Sequence, residues 1–163
     1  MKSIDLVMDA GWGSSGKGGI CGWLAKRRRY DTAVCSYGTQ AGHVYNDSAR
    51  GIHKMLVQQL PTAISGPTVK TILIGPGAII HAATLQREID DYLRDDQQLF
   101  IHEHACVLTD SHAARELQGG MTNIGSTAKG VGAAVVDRIM RNPDLQAVAK
   151  GEIGRASCRE RVS

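Results

Sequence analysis

The sequence has no long apolar run, no strong excess of one charge and no closely spaced pair of cysteines. No stretch approaches the about 20 apolar residues that span a bilayer, so we expect no membrane partner. The 19 basic residues nearly balance the 16 acidic ones, which argues against nucleic acid as a partner. Without a C-x-x-C pair, the cysteines are predicted to be reduced thiols of a cytoplasmic protein (Cys21, Cys35, Cys106, Cys158).

Aromatic residues are also scarce, at 4% of the 163 residues, whereas 19 residues are glycine. This balance suits a nucleotide-binding α/β enzyme with many loops lined by backbone. The length is sufficient for one domain with a substantial core.

The glycine-rich stretch at residues 11–18, G-W-G-S-S-G-K-G, is the feature around which the chain is organised. An apolar run at 4–8 predicts a buried strand before it, and apolar spacing predicts a helix over 17–28 after it. The amides of such a loop converge on one point, where the helix dipole adds positive charge. The spacing Gly11-x4-Gly16-Lys17 matches a Walker A phosphate loop, although Gly18 stands where a Ser or Thr would hold magnesium. We therefore predict phosphate binding; the alternative is a tight turn with an incidental lysine.

A second loop, at residues 36–44, follows a predicted strand at 31–35. Open α/β sheets bind ligands beyond the carboxyl ends of their strands, so this loop is expected beside the first. His43 lies in it and is a candidate acid or electrostatic stabiliser next to a phosphate. The alternative is a surface histidine.

The remaining segments are predicted to form helices and strands of the scaffold that supports the two loops. Strands are expected at 69–74 and 100–108, and helices at 82–94, 111–117 (with Ser111 as N-cap) and 130–140. His102 and His104 would share one face of the second strand, but two histidines without a third ligand are weak evidence for a metal site. The fold class predicted is α/β, with a P-loop-like, mostly parallel central sheet flanked by helices.

Five motifs in the same order along the chain resemble the adenylosuccinate synthetase family. Residues 12–18 resemble the family pattern Trp-Gly-Asp-Glu-Gly-Lys-Gly, and 38–44 resemble Gly-x-Asn-Ala-Gly-His-Thr. The others are the Leu60-Pro61 segment, residues 74–80 (Ile-Gly-Asn-Gly-Val-Val-Val in the family) and residues 124–133 (Ile-Gly-Thr-Thr-Gly-Arg-Gly-Ile-Gly-Pro).

The resemblance implies a ligase that joins L-aspartate to the 6-position of a purine nucleotide. It implies Mg2+ and a nucleoside triphosphate, ATP or GTP, as phosphate donor, a purine nucleoside monophosphate (dGMP or IMP) as acceptor, and a homodimer when full length. Triphosphate-binding positions would be Gly13, Ser15, Gly16, Lys17, Gly18, Gly42, His43 and Val44. Substrate-nucleotide positions would be Ser14, Lys17, Gln40, Ser126, Thr127 and Arg141, the last reaching into the neighbouring subunit. Catalytic positions would be Ser14 and His43, and magnesium ligands Ser14 and the Gly42 carbonyl.

Ser14 departs from the typical family pattern, which has an aspartate that serves as base and magnesium ligand. A serine is no carboxylate base and only a weak magnesium ligand. The phage N6-succino-2-amino-2'-deoxyadenylate synthases, a branch that uses dGMP, carry this serine, and a small hydroxyl leaves room for the 2-amino group. Gln40 and Val44 also differ from the pattern. The resemblance therefore favours the dGMP-using branch, acting in the host cytoplasm. The alternatives are an IMP-using synthetase, an inactive nucleotide-binding homologue, and a P-loop GTPase or ATPase switch. A switch would need an Asn-Lys-x-Asp element, which the sequence does not show.

Residues 152–163 do not resemble the family and have no amphipathic period. They resemble the translation of a sequencing adapter. We expect residues 1–151 to be the N-terminal part of a single domain and 152–163 a non-native or disordered tail.

Overall fold

A computed structural model of the chain describes residues 4–11, 15–119 and 128–140. Its strands are β1 (Thr32–Cys35), β2 (His43–Asp47), β3 (Ile52–Val57), β4 (Thr71–Ile74), β5 (Ile79–Ile80), β6 (Gln98–Ile101) and β7 (Cys106–Val107). Its α-helices are α1 (Lys17–Arg27), α2 (Ala82–Tyr92), α3 (Asp110–Gln118) and α4 (Val131–Met140), with short 3-10 turns at Ser48–Arg50 and Thr62–Ser65. No helix within these ranges is long and apolar enough to cross a membrane.

A parallel sheet with the strand order β1-β4-β6 confirms the predicted α/β class. Alternate residues of each strand are buried, as expected for a strand with one covered face. The covered face packs in the main core with the apolar side of α2, through Ile72, Leu99 and Leu85. The opposite face carries Val34 and Phe100, which stay 64% and 48% exposed. Two smaller elements complete the fold, the antiparallel hairpin β2–β3 and the parallel pair β5–β7.

The predicted single strand at 100–108 is wrong, because the segment divides between two sheets. β6 pairs with β4, whereas β7 pairs with β5. A turn separates them, closed by hydrogen bonds from the Ala105 and His104 amides to the carbonyl and Nδ1 of His102. The two histidines therefore lie in a turn, where their rings are 5.4 Å apart, and do not share a strand face.

The predicted buried strand at 4–8 is also wrong. An apolar run becomes a strand only where another backbone accepts its hydrogen bonds, and none does so within the described ranges. Ile4 and Leu6 are 94% and 76% exposed. The segment is instead held by Asp5, which pairs with Arg28 and accepts a hydrogen bond from Tyr30.

The predicted helices are confirmed to within two residues at most ends, but α3 begins earlier than its predicted cap. Thr109 is the N-cap, because its hydroxyl and the His112 ring form a reciprocal capping box with the first turn. Ser111 lies inside the helix, and its hydroxyl forms a hydrogen bond with the Thr109 hydroxyl. The predicted tail at 152–163 lies outside the described residues, and Cys21, Cys35 and Cys106 are free thiols.

Candidate functional site

The loop-to-helix transition of the predicted phosphate loop is formed as expected. Gly16 adopts a left-handed backbone conformation (φ 76°), which favours glycine. Helix α1 begins at the next residue, and its first hydrogen bond runs from the Ile20 amide to the Gly16 carbonyl (3.1 Å). The amides of its first turn are therefore available to an anion in front of the helix.

The two predicted loops meet, because α1 lies directly against the start of β2. A Cβ at Gly18 would lie 2.8 Å from the His43 Cβ and 3.3 Å from the Val44 nitrogen. Together the loops enclose a cleft of about 570 Å³. Its lining consists of Ser15, Gly16, Lys17, Gly18, Gly19, Ala41, Gly42, His43 and Val44.

The close approach at Gly18 gives a testable prediction. Gly18→Ala forces α1 away from the β2 backbone, so we expect at least a tenfold loss of tripolyphosphate affinity, on the order of 1.4 kcal/mol or more. Gly19→Ala is the matched control, since a Cβ there meets nothing within 4 Å. Isothermal titration of both variants checks the expectation, and equal affinities would contradict it.

Asp9 is a site residue that sequence reasoning missed. Its carboxylate accepts hydrogen bonds from the Lys17 ammonium (2.6 Å), the Ser15 hydroxyl (2.7 Å) and the Gly11 amide (3.0 Å). Hydrogen bonds from these donors hold the pKa of the Asp9 carboxyl well below its usual range, and the bond from Lys17 has the largest effect. The signal in the sequence was an acidic residue directly after an apolar run and two residues before the glycine loop.

His43 presents a nitrogen that is free to meet a ligand. The ring is half-buried, packs 4.8 Å from the Tyr37 ring, and its buried Nε2 has no hydrogen-bond partner among the described residues. Burial lowers the pKa of His43, and the nearby Lys17 charge lowers it further. A bound phosphate would act in the opposite direction and raise the pKa of the imidazole.

The residues predicted to bind the two nucleotides are only partly described. Gln40 is exposed, and Ser14, Gly13, Ser126, Thr127 and Arg141 lie outside the described residues. A second cavity of about 320 Å³ lies between Thr39 and Lys129. The rest of its lining comes from Gln58, His81, Thr84, Leu108, Thr109, Asp110 and Ala113.

The start of α4 is fixed to α3 by buried polar contacts. The Glu116 carboxylate accepts hydrogen bonds from the Gly130 amide (2.8 Å) and the Ala133 amide (3.1 Å). Asp137 accepts two more from the Arg115 guanidinium, at 2.6 and 2.8 Å. These contacts place Lys129 at the rim of the second cavity.

The oxygens around Lys17 fit the predicted magnesium ion. The described residues contain no group of three or more His, Cys, Asp or Glu side chains that could hold a metal. Magnesium at phosphoryl-transfer sites needs only one or two protein oxygens, because phosphates and water supply the others. The Ser15 hydroxyl of the predicted phosphate loop and the Asp9 carboxylate beside it are such hard oxygens.

Comparisons with known proteins agree with the motifs. The profile of the adenylosuccinate synthetase family matches residues 6–150. N6-succino-2-amino-2'-deoxyadenylate synthases of Acinetobacter phage SH-Ab 15497 and Vibrio phage phiVC8 are 39% and 34% identical, over 92% and 94% of this chain. The chain spans only 38% and 45% of the length of these relatives.

Two solved structures have a fold similar to that of this chain. The succinoaminodeoxyadenylate synthetase of cyanophage S-2L, bound to dGMP and to dATP as an energy donor, superposes with a TM-score of 0.71 at 29% identity. That superposition covers 83% of this chain and 37% of the cyanophage chain. The adenylosuccinate synthetase of Plasmodium falciparum, at 24% identity and a TM-score of 0.66, shares the fold. Since the family profile covers nearly all of the described residues, the chain belongs to the adenylosuccinate synthetase family.

Proposed function

We propose that the intact protein is a ligase that joins L-aspartate to dGMP and forms N6-succino-2-amino-2'-deoxyadenylate. The observation that carries the proposal is Ser14, which stands in the phosphate loop where typical members of the family have an aspartate. The relatives from Acinetobacter phage and Vibrio phage support it, since they are synthases of this product. The dGMP bound to the cyanophage protein supports the choice of acceptor.

The reaction has two steps in this proposal. The γ-phosphoryl group of ATP or GTP passes to the 6-oxygen of the purine, which loses the proton on N1, and the nucleoside diphosphate leaves. The aspartate amine then attacks C6, displaces phosphate and loses a proton. Lys17 and the amides of the first turn of α1 hold the phosphates of the donor. His43, whose buried Nε2 has no hydrogen-bond partner among the described residues, stabilises the transferred group by donating a hydrogen bond from that nitrogen.

The remaining roles follow the family pattern. Magnesium, held in part by the Gly42 carbonyl and Ser14, would neutralise charge on the triphosphate. Ser126 and Thr127 would bind the acceptor phosphate, and Arg141 would reach the same phosphate across a homodimer. The cytoplasm of the phage's host would be the site of action.

The test compares the two acceptors in the full-length enzyme. With aspartate, magnesium and ATP or GTP, we expect the succinylated product to form from dGMP in preference to IMP. Ser14→Asp would crowd the 2-amino group and restore a base suited to hypoxanthine, so it should shift the preference towards IMP. One polar contact of this kind changes specificity about tenfold or more.

Ser14→Ala is the control, because it removes the hydroxyl without adding a carboxylate and should gain no activity on IMP. If the unmodified protein uses IMP as well as dGMP, the protein is an ordinary adenylosuccinate synthetase. If a folded full-length protein uses neither, it is a non-catalytic nucleotide-binding homologue.

A further inference from the structure

The charge of the phosphate cleft is set by one pair of side chains. Of the nine described residues that line the cleft, Lys17 is the one with a permanent positive charge. Its ammonium lies 2.6 Å from the Asp9 carboxylate, so this cation is already neutralised before a phosphate arrives. Ser15 also lines the cleft, and its hydroxyl donates a hydrogen bond to the same carboxylate.

Lys17 lines the cleft, and its pair with Asp9 is partly exposed, unlike a buried structural ion pair. The side chains of Lys17 and Asp9 remain 32% and 19% exposed. The contrasting case on the same helix is Lys26, which lies 2.7 Å from Asp47, a carboxylate with no exposed surface. A ligand that contacts Lys17 in the cleft therefore lies close to the Asp9 carboxylate, which is 2.6 Å from the ammonium.

A bare polyphosphate at Lys17 would bring its negative charges next to the Asp9 carboxylate. Like charges at such short separation repel, and a divalent cation between them turns the repulsion into two attractions. We propose that Asp9 makes triphosphate binding at this loop depend on a divalent cation, by supplying the carboxylate that residue 14 lacks. The inference rests on the proposed function, because it assumes that the loop binds the phosphates of the donor.

The experiment measures binding of inorganic tripolyphosphate to the 163-residue chain by isothermal titration, with magnesium and with EDTA. The quantity compared is the factor by which magnesium strengthens binding. We expect this factor to be at least about fivefold larger for the unmodified chain than for Asp9→Asn, which is the size of a typical coupling between two ligands. Much of the difference should come from tighter binding of the metal-free probe by the variant.

Asp5→Asn is the matched control, since Asp5 is an acidic residue of the same segment that pairs with Arg28, and its magnesium factor should equal that of the unmodified chain. Asp9→Ser gives a second test if the asparagine variant does not fold. If the chain binds tripolyphosphate and the factor is the same with and without the Asp9 carboxylate, the inference is overturned while the phosphate loop stands. If the unmodified chain binds no tripolyphosphate in either buffer, the phosphate-loop assignment fails and the inference fails with it.

Discussion

Gly130→Ala is expected to destabilise the fold by about 2–4 kcal/mol. Gly130 has a φ of 85°, which disfavours any side chain. A Cβ there would also lie 2.7 Å from the Ala113 nitrogen and 2.9 Å from the His112 carbonyl carbon. Both atoms belong to the backbone of α3, which cannot rotate away as a side chain could. Urea unfolding followed by circular dichroism measures the loss.

Gly51→Ala separates backbone strain from the clash. Gly51 has a similar φ of 71°, but a Cβ there meets nothing within 4 Å. We expect that variant to lose only about 1–2 kcal/mol, the usual penalty of the left-handed region. Equal losses for the two variants would show that α3 and α4 do not approach as closely as described.

Lys17→Ala should reduce kcat/KM of the intact enzyme by about a hundredfold or more. The ammonium is the one permanent positive charge among the described residues of the cleft, and charge-assisted contacts to a transferring phosphoryl group are the strongest that such a loop makes. Steady-state kinetics with ATP or GTP and with dGMP measure the effect. Melting temperature shows whether the variant is folded.

Arg29→Ala is the control for that experiment, because it removes an exposed cation just beyond the end of α1. Its kcat/KM should stay within about twofold of the unmodified enzyme, as expected for a surface change away from the site. If Lys17→Ala retains activity to the same extent, the cleft is not the donor site.

Local sequence patterns predicted most helices and strands, because these elements depend mainly on residues that are close in sequence. The strand at 31–35 and the helix at 82–94 are both present, since their apolar periods match the faces that they bury. The two strand predictions that were wrong failed because the sequence does not show which strands pair with each other. The segments at 4–8 and 100–108 have the composition of strands, but whether and where a strand pairs depends on backbone that is distant in sequence.

The candidate site could be predicted only in part for the same reason. Glycine spacing located the loop that leads into α1, and the position of His43 after a strand placed it beside that loop. The contact of Asp9 with Lys17 depends on how the chain folds back over eight positions, and no motif describes it. The roles predicted for Ser14 and Arg141 remain predictions.

The Glu116 contact has a consequence for how relatives of this protein can diverge. The Glu116 carboxylate of α3 accepts hydrogen bonds from the amides at the start of α4, so the position of α4 is set by α3. Gly130, which donates one of these bonds, also lies so close to the α3 backbone that a Cβ there would be 2.7 Å from the Ala113 nitrogen. A change at Glu116 or at Gly130 is therefore expected to move α4 against α3. We expect the two residues to vary together among relatives, because each fixes the same approach of the two helices.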